Sequence, residues 1–391
     1  MVHLLLVIIY IAFISLGLPD SLLGSAWPTM YGELGVAVSY AGFISMIIAG
    51  GTIVSSLLSD RLIRKFGTGL VTAVSVAMTA VALLGFSFSH SFWQLCLWGI
   101  PYGLGAGSVD SALNNFVALH YKSRHMSWLH CFWGIGATLG PYIMGLCLTN
   151  GLKWNSGYLT IGLIQVVLMA FLFLSLPLWK SKEARVEETA EAHIALRIGE
   201  VAALPGAKAI LTAFFCYCAL EATTGLWASS YLALHKGLST ETAAKWASLF
   251  YLGITVGRFL CGFITDRFGD KTMVRCGQAI ALLGVVLLLL PLRGGVTLAG
   301  LGMIGLGCAP IYPSLLHETP ENFGTGNSQA IMGMQMACAY VGSTFMPSVF
   351  GFLAQYVSIS LYPVYLVIFV ALMFIMVERM NTLRTQRGAR M

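Results

Sequence analysis

Three carboxylates lie well inside the apolar stretches of this 391-residue chain: Asp20 in "SLGLPDSLLGSAW", Asp110 in "GLGAGSVDSALNNF" and Glu221 in "CALEATTGLW". Every other Asp or Glu falls in a polar segment or near the end of an apolar run. A charge held in hydrocarbon is costly, so an acid there is a functional candidate by default. A carboxyl in low dielectric is also a group that can take up and release a proton near neutral pH. Asp20, Asp110 and Glu221 are therefore the candidates for proton coupling.

Groups suited to a hydroxylated ligand surround them. Asn114 follows Asp110 by four residues and shares its helical face. His130 and Trp133, three apart in "SWLHCFWGIG", share another. Trp27 and Trp227 lie about two turns beyond Asp20 and Glu221, and Tyr312 and Gln335 sit in later apolar runs. An aromatic face covers the C–H side of a sugar ring, while amides and carboxylates take its hydroxyls. The substrate-contact candidates are Asp20, Trp27, Asn114, His130, Trp133, Glu221, Trp227, Tyr312 and Gln335. His120, His125 and His130 are spaced like metal ligands, but two lie in a basic loop and no metal or other cofactor is expected. The tryptophans compete with a role in the interfacial belt, where Trp154 and Trp179 at span ends are expected.

The elements that must position these groups follow from composition. The chain is 57% hydrophobic and only 10% charged, with a mean hydropathy of +0.81. Apolar runs recur every ~30 residues, each long enough for the ~20-residue helix that crosses a bilayer. Continuous rather than alternating runs choose helices over barrel strands. The first run, "MVHLLLVIIYIAFISLG", lacks a basic leader and a small-residue cleavage site, so it reads as an uncleaved span.

The expected fold is an all-α membrane protein of twelve transmembrane helices in two six-helix halves. Residues 1–180 form the N-terminal half, 181–206 a polar linker suited to a surface helix, 207–378 the C-terminal half and 379–391 a tail. Lys and Arg concentrate in 60–66, 120–125, the linker, 265–276 and the tail, which places both termini on the cytoplasmic side of a cell membrane. Nine cysteines, nearly all inside apolar runs, argue against disulfides. The net charge of +6 is placed by topology, not by nucleic acid.

An internal repeat supports two parallel halves. "PDSLLGSAW" pairs with "LEATTGLWA", "SDRLIRKFG" with "TDRFGDK", "YGLGAG" with "IGLGCA" and "GATLGP" with "GSTFMP", in order and about two hundred residues apart. Such repeats characterise one large transporter class. The glycine runs lie inside apolar spans and read as helix-packing surfaces, not as phosphate loops.

With these features the chain resembles the major facilitator superfamily over essentially its whole length. The Asp20 segment, "GLGAGSVD", "ALEATTGLW" and "GLGCAPIYPSLL" give it a closer resemblance to the fucose:proton symporter family and its sugar-transporting relatives. That resemblance implies a span-1 acid tied to substrate (Asp20) and a span-4 acid tied to the proton. At the latter place Asp110 stands one methylene short of the family's usual Glu. The D-R loop signature is regular after span 8 and irregular after span 2, where Ser56 replaces a glycine and Gly67 comes late. Gating is expected from Asp60, Arg61, Asp266 and Arg267, with Arg258 near the cytoplasmic end of span 8 pairing with Glu318.

The function expected is a monomeric secondary transporter, alternating its access to the two sides of the bilayer. Its task would be proton-coupled uptake of a sugar or similar small polar solute, with sodium the alternative ion. The competing readings are a proton-coupled exporter of small amphipathic compounds and a carrier-fold sensor without transport. No set of nucleophile and base, metal cluster or nucleotide-binding segment is present in the sequence, so an enzyme is not expected.

Overall fold

A computed structural model describes residues 2–20, 22–37, 40–187, 197–238, 240–290 and 294–388. Their regular structure is entirely helical. The helices are α1 (Val2–Gly17), α2 (Leu22–Glu33), α3 (Ala41–Phe66), α4 (Thr68–Ser87), α5 (Phe92–His120), α6 (Ser123–Thr149) and α7 (Trp154–Glu187). After these come α8 (Ile198–Ala203), α9 (Ala207–Leu234), α10 (Thr240–Phe268), α11 (Asp270–Leu289), α12 (Gly295–His317), α13 (Thr319–Phe323), α14 (Thr325–Leu353) and α15 (Tyr362–Gly388). Of the expected linker, α7 continues to Glu187 and α8 follows, while 188–196 lies outside the described residues. The expected tail begins as a continuation of α15.

Ten helical segments among the described residues are long and apolar enough to cross a membrane. The first, Leu4–Trp27, runs through the α1–α2 junction, and the last, Thr325–Arg384, is 60 residues long. Short π and 3-10 turns at Ala354–Leu361 interrupt that last segment. α5 is not among the ten, and it holds Pro101, Ser108, Asp110, Ser111, Asn114 and Asn115. The molecule is thus an all-α, multi-span membrane protein.

The chain divides into two compact units. One comprises Met1–Phe116, Leu129–Ala195 and Thr325–Met336; the other comprises Val117–Trp128, Leu196–Gly324 and Ala337–Met391. The first unit has an apolar core of Leu22, Trp27, Met30, Leu95, Trp154 and Tyr158. In the second, Phe214, Phe250, Ile304 and Ile311 are fully buried.

Close helix contact in the first unit depends on glycine. A Cβ at Gly17 would overlap the carbonyl oxygen of Trp133, one at Gly136 that of Ile14, and one at Gly140 that of Leu18. α1 and α6 therefore meet backbone to backbone, which is how helices associate where lipid tails remove the hydrophobic drive. The same logic explains "GLGAG": Gly103 and Gly107 lie against the carbonyls of Ile48 and Thr52 on α3. In the second unit Gly305 lies against Phe250 and Gly307 against Gly277.

Gly136→Leu should push α6 off α1 and cost about 1–3 kcal/mol, the usual range for overpacking. Gly145, whose Cβ position is open within 4 Å, is the control. Thermal unfolding in detergent should show a lower Tm for Gly136→Leu and an unchanged or slightly raised one for Gly145→Ala.

Candidate functional site

The first unit centres on the break between α1 and α2. Pro19 has no N–H to continue a helix, and the chain turns there with Asp20 N donating to Gly17 O at 3.2 Å and Leu22 N to Pro19 O at 3.1 Å. The turn leaves Asp20 exposed. Trp133 Nε1 donates to its Oδ2 at 2.9 Å and Tyr102 Oη to its Oδ1 at 3.2 Å. A carboxylate offers about four acceptor positions, so the two aromatic donors fix its plane and leave capacity for ligand hydroxyls.

Asp110 is wired differently. It is 6% exposed on α5, and Asn114 Nδ2 donates both to its carbonyl oxygen at 2.9 Å and to its Oδ1 at 2.8 Å. With its nitrogen turned to a backbone carbonyl, which only accepts, Asn114 presents Oδ1 to His130 Nε2 at 3.0 Å. His130 Nε2 is therefore the N–H side of that bond. His130 and Trp133 stand one turn apart on α6. Along α6, the residue touching the Asp110 network is thus a near neighbour of the one touching Asp20.

Several of the expected substrate-contact residues are buried or hydrogen-bonded within the fold. Trp27, 5% exposed, packs into the apolar core of the first unit. Asn114 and Gln335 are fully buried, and His130 is nearly so. Trp227 donates Nε1 to Pro347 O at 2.8 Å and packs edge-on to Phe350, tying α9 to α14.

The second unit holds an ion pair. Arg258 Nη2 is 3.4 Å from Glu221 Oε1 and 3.3 Å from Tyr217 Oη. Tyr312 lies beside this group, its ring 5.5 Å from Tyr217 and 5.1 Å from Phe214. The expected partner of Arg258 was Glu318, and here the expectation fails. Arg258 is ten residues before the end of α10, roughly 15 Å inside at 1.5 Å per residue, whereas Glu318 lies beyond the end of α12. Glu318 instead approaches Arg384 at 3.9 Å.

The helix-end loops also choose their own partners. Asp60 pairs with Arg64 at 2.9 Å, one turn on, and Arg64 reaches the carbonyl of Gly326; Arg61 is exposed. Asp266 accepts from the backbone N–H of Arg124 at 3.3 Å and pairs with its side chain at 3.6 Å. Arg267 lies over the ring of Phe268 at 5.8 Å. Gly67 (φ 78°) and Gly269 (φ 77°) end α3 and α10 in the same left-handed conformation, which only glycine adopts cheaply. These glycines are the structural equivalents. Asp60, seven residues before its glycine, therefore lies about one turn further inside than Asp266, which is three before. The apparent D-R match between the two loops is out of register by that turn.

The comparisons with known proteins agree with this architecture. The Major Facilitator Superfamily profile matches residues 9–245 and again 209–385. The chain belongs to the Major Facilitator Superfamily. It is accordingly a membrane carrier and not an enzyme. It is 26% identical over 298 residues to bypass of stop codon protein 6 of Saccharomyces cerevisiae, covering 69% of this chain and 59% of that protein. FucP, the fucose:proton symporter of E. coli, has in its outward conformation a TM-score of 0.78 to this chain. Identity there is 15%, covering 95% of this chain and 97% of FucP. The human organic anion transporter MFSD10 also gives 0.78, at 16% identity, covering 95% and 98%.

Sequence reasoning missed Tyr102, Tyr217, Arg64 and Arg124 in this facilitator. Helical spacing offered a signal for Tyr217, four residues before Glu221, and for Tyr102, two turns before Asp110. Nothing local pointed to Arg124.

Removing Glu221 strands a buried guanidinium, whereas removing both charges does not. Glu221→Ala should therefore lower the Tm in detergent by more than the double variant Glu221→Ala with Arg258→Met. A second prediction concerns Glu318, in the turn after α12 and 7% exposed. Burial, with the charge of Asp270 adding, pushes its pKa from 4.5 up to about 7. The folded chain then holds a proton that the unfolded chain releases between those values. Its stabilising contribution is complete below pH 4.5 and lost as pH rises through 7. Thermal scans from pH 4.5 to 8 should show this loss in the wild type and a flatter profile in Glu318→Gln.

Proposed function

We propose that this carrier moves a small hydroxylated solute, a sugar or similar polyol, into the cell together with protons by alternating access. One observation carries this reading. Asp20 is an exposed carboxylate at a helix break inside an apolar span, and an indole and a phenol hold it by hydrogen bonds. Broken spans are where carriers of this kind bind their cargo. Carboxylate oxygens with free acceptor capacity suit sugar hydroxyls, and the adjoining aromatic surface suits the C–H face of the ring.

Asp110, buried and hydrogen-bonded through Asn114 to His130, is the proposed proton site, with Glu221 linked to Arg258 as a further group whose charge protonation would change. Asp60, Asp266, Arg267 and Glu318 belong on this reading to gates at the helix ends. The fold likeness to a fucose:proton symporter supports the sugar and the proton as the first cargo and ion to try. Twelve spans in two six-helix halves, 1–180 and 207–378, are supported by the doubled family match and by the equivalent glycines at 67 and 269. The basic loops support cytoplasmic termini.

The likeness to a human organic anion transporter favours a second reading, an anion carrier using Arg258. The charge of Arg258 is already matched by Glu221 at 3.4 Å, which weighs against it.

The test is proton movement in proteoliposomes on adding single monosaccharides and, in parallel, organic anions. Asp110→Asn should abolish sugar-dependent alkalinisation of the outside medium while keeping sugar exchange. Asp20→Asn should weaken sugar binding by about tenfold or more, the scale of one lost hydrogen bond to a charged group. Absence of any sugar response, with a response to anions, would overturn the sugar reading.

A further inference from the structure

His317 ends α12 at a place that neither the acids nor the proposed substrate path uses. Its Nδ1 is 2.7 Å from Asp270 Oδ2 and its Nε2 is 3.2 Å from the carbonyl oxygen of Tyr121. Asp270 is the first residue of α11, and its other oxygen accepts from Ser123 Oγ. Tyr121 and Ser123 flank the short turn between α5 and α6. Four helix ends are thus gathered on one imidazole and its carboxylate.

The chemistry of the acceptors settles how many protons this cluster holds. A backbone carbonyl only accepts, and so does an ionised carboxylate. Neutral imidazole donates from one nitrogen alone, so its second nitrogen would point a lone pair at an oxygen. The arrangement needs one more proton than neutral histidine with ionised aspartate supplies. Asp270 occupies a helix N-terminus, where the macrodipole favours the anion, so that proton belongs on His317. Both ring nitrogens then donate.

The surrounding charges are mixed. Glu321 on α13 and Glu318 in the turn before it face the cluster on the acidic side. Lys271 follows Asp270, and Arg384 of α15 is held by Glu321 at 2.7 Å. Arg124 is engaged with Asp266. His125 stacks edge-on between Tyr121 and Trp128.

We propose that His317 is a proton-operated latch: protonated, it ties the α5–α6 turn to the ends of α11 and α12, and deprotonated, it lets the turn go. The consequence is mechanical, because α5 carries Asp110 and α6 carries His130 and Trp133. Loss of one proton at the helix ends loosens the anchor of the two helices that hold the acids in place. The latch requires no particular solute, and it stands whether or not the cargo is a sugar.

The experiment is hydrogen–deuterium exchange of the full chain in lipid nanodiscs at pH 6 and pH 8.5, without solute. Rates are read as protection relative to the intrinsic rate at each pH. In the wild type, protection of the amides around 121–128 should fall about tenfold at the higher pH, the scale of one charge-assisted hydrogen bond. His317→Gln should be weakly protected at both values and His317→Arg, a permanent cation, well protected at both. Rescue by Arg separates a charge latch from mere packing. Equal wild-type protection at the two pH values would overturn the proposal. So would a wild-type pH step that survives in His317→Gln, or one that vanishes in Glu318→Gln while His317 is intact.

Discussion

A carboxylate at a break within an apolar span must be satisfied by neighbours, and the first unit is arranged around that requirement at Asp20. Pro19 breaks the helix and frees backbone at the same point. Trp133 and Tyr102 come from two other helices to occupy one carboxylate oxygen each. They reach it because α6 crosses α1 at van der Waals contact, and that crossing tolerates no side chain at Gly17, Gly136 or Gly140. The glycines and the acid belong to one device. Without the close crossing the indole falls short, and without the indole the carboxylate loses its orientation.

The two units satisfy their acids by different means. Asp20 is held by neutral donors, which orient a carboxylate without cancelling its charge. Glu221 is held by a guanidinium, which cancels it. Protonation adds one positive charge at either place but leaves different end states: Asp20 would become neutral, while at Glu221 the positive charge of Arg258 would be uncovered. A pseudo-repeat at the level of position, Asp20 against Glu221, is not a repeat at the level of chemistry. The low dielectric of the surroundings makes that difference in wiring matter more than it would in water.

At the helix ends, charge is organised by short-range pairing. Asp60 pairs with Arg64 one turn along the same helix, while Asp266 with Arg124 and Asp270 with His317 each tie a carboxylate to a neighbouring helix end. Gly67 and Gly269 allow the abrupt ends of α3 and α10, since each holds a backbone conformation strained for any other residue. Pairs of this type are suited to biasing a conformational equilibrium, since each is made or lost as a unit.

Much of this was legible in the chain itself. Lipid allows few structures and penalises charge, so apolar runs could be read as spanning helices and three embedded acids as functional candidates. The small-residue stripes could be read as contact surfaces for the same reason, and "GLGAG" and "GLGCA" do line close helix crossings. What the chain could not disclose was which faces meet. Trp27 and Trp133 look alike in sequence, yet one fills the core and the other holds Asp20. Arg258 gave no sign that its partner was Glu221, because a partner on another helix is set by crossing geometry and leaves no local spacing. The D-R loops misled by a single turn, since identical letters do not fix the register that Gly67 and Gly269 impose. Sequence determined which groups had to be satisfied, because burial in lipid is a matter of composition; tertiary structure decided by whom, because that depends on where separate helices touch.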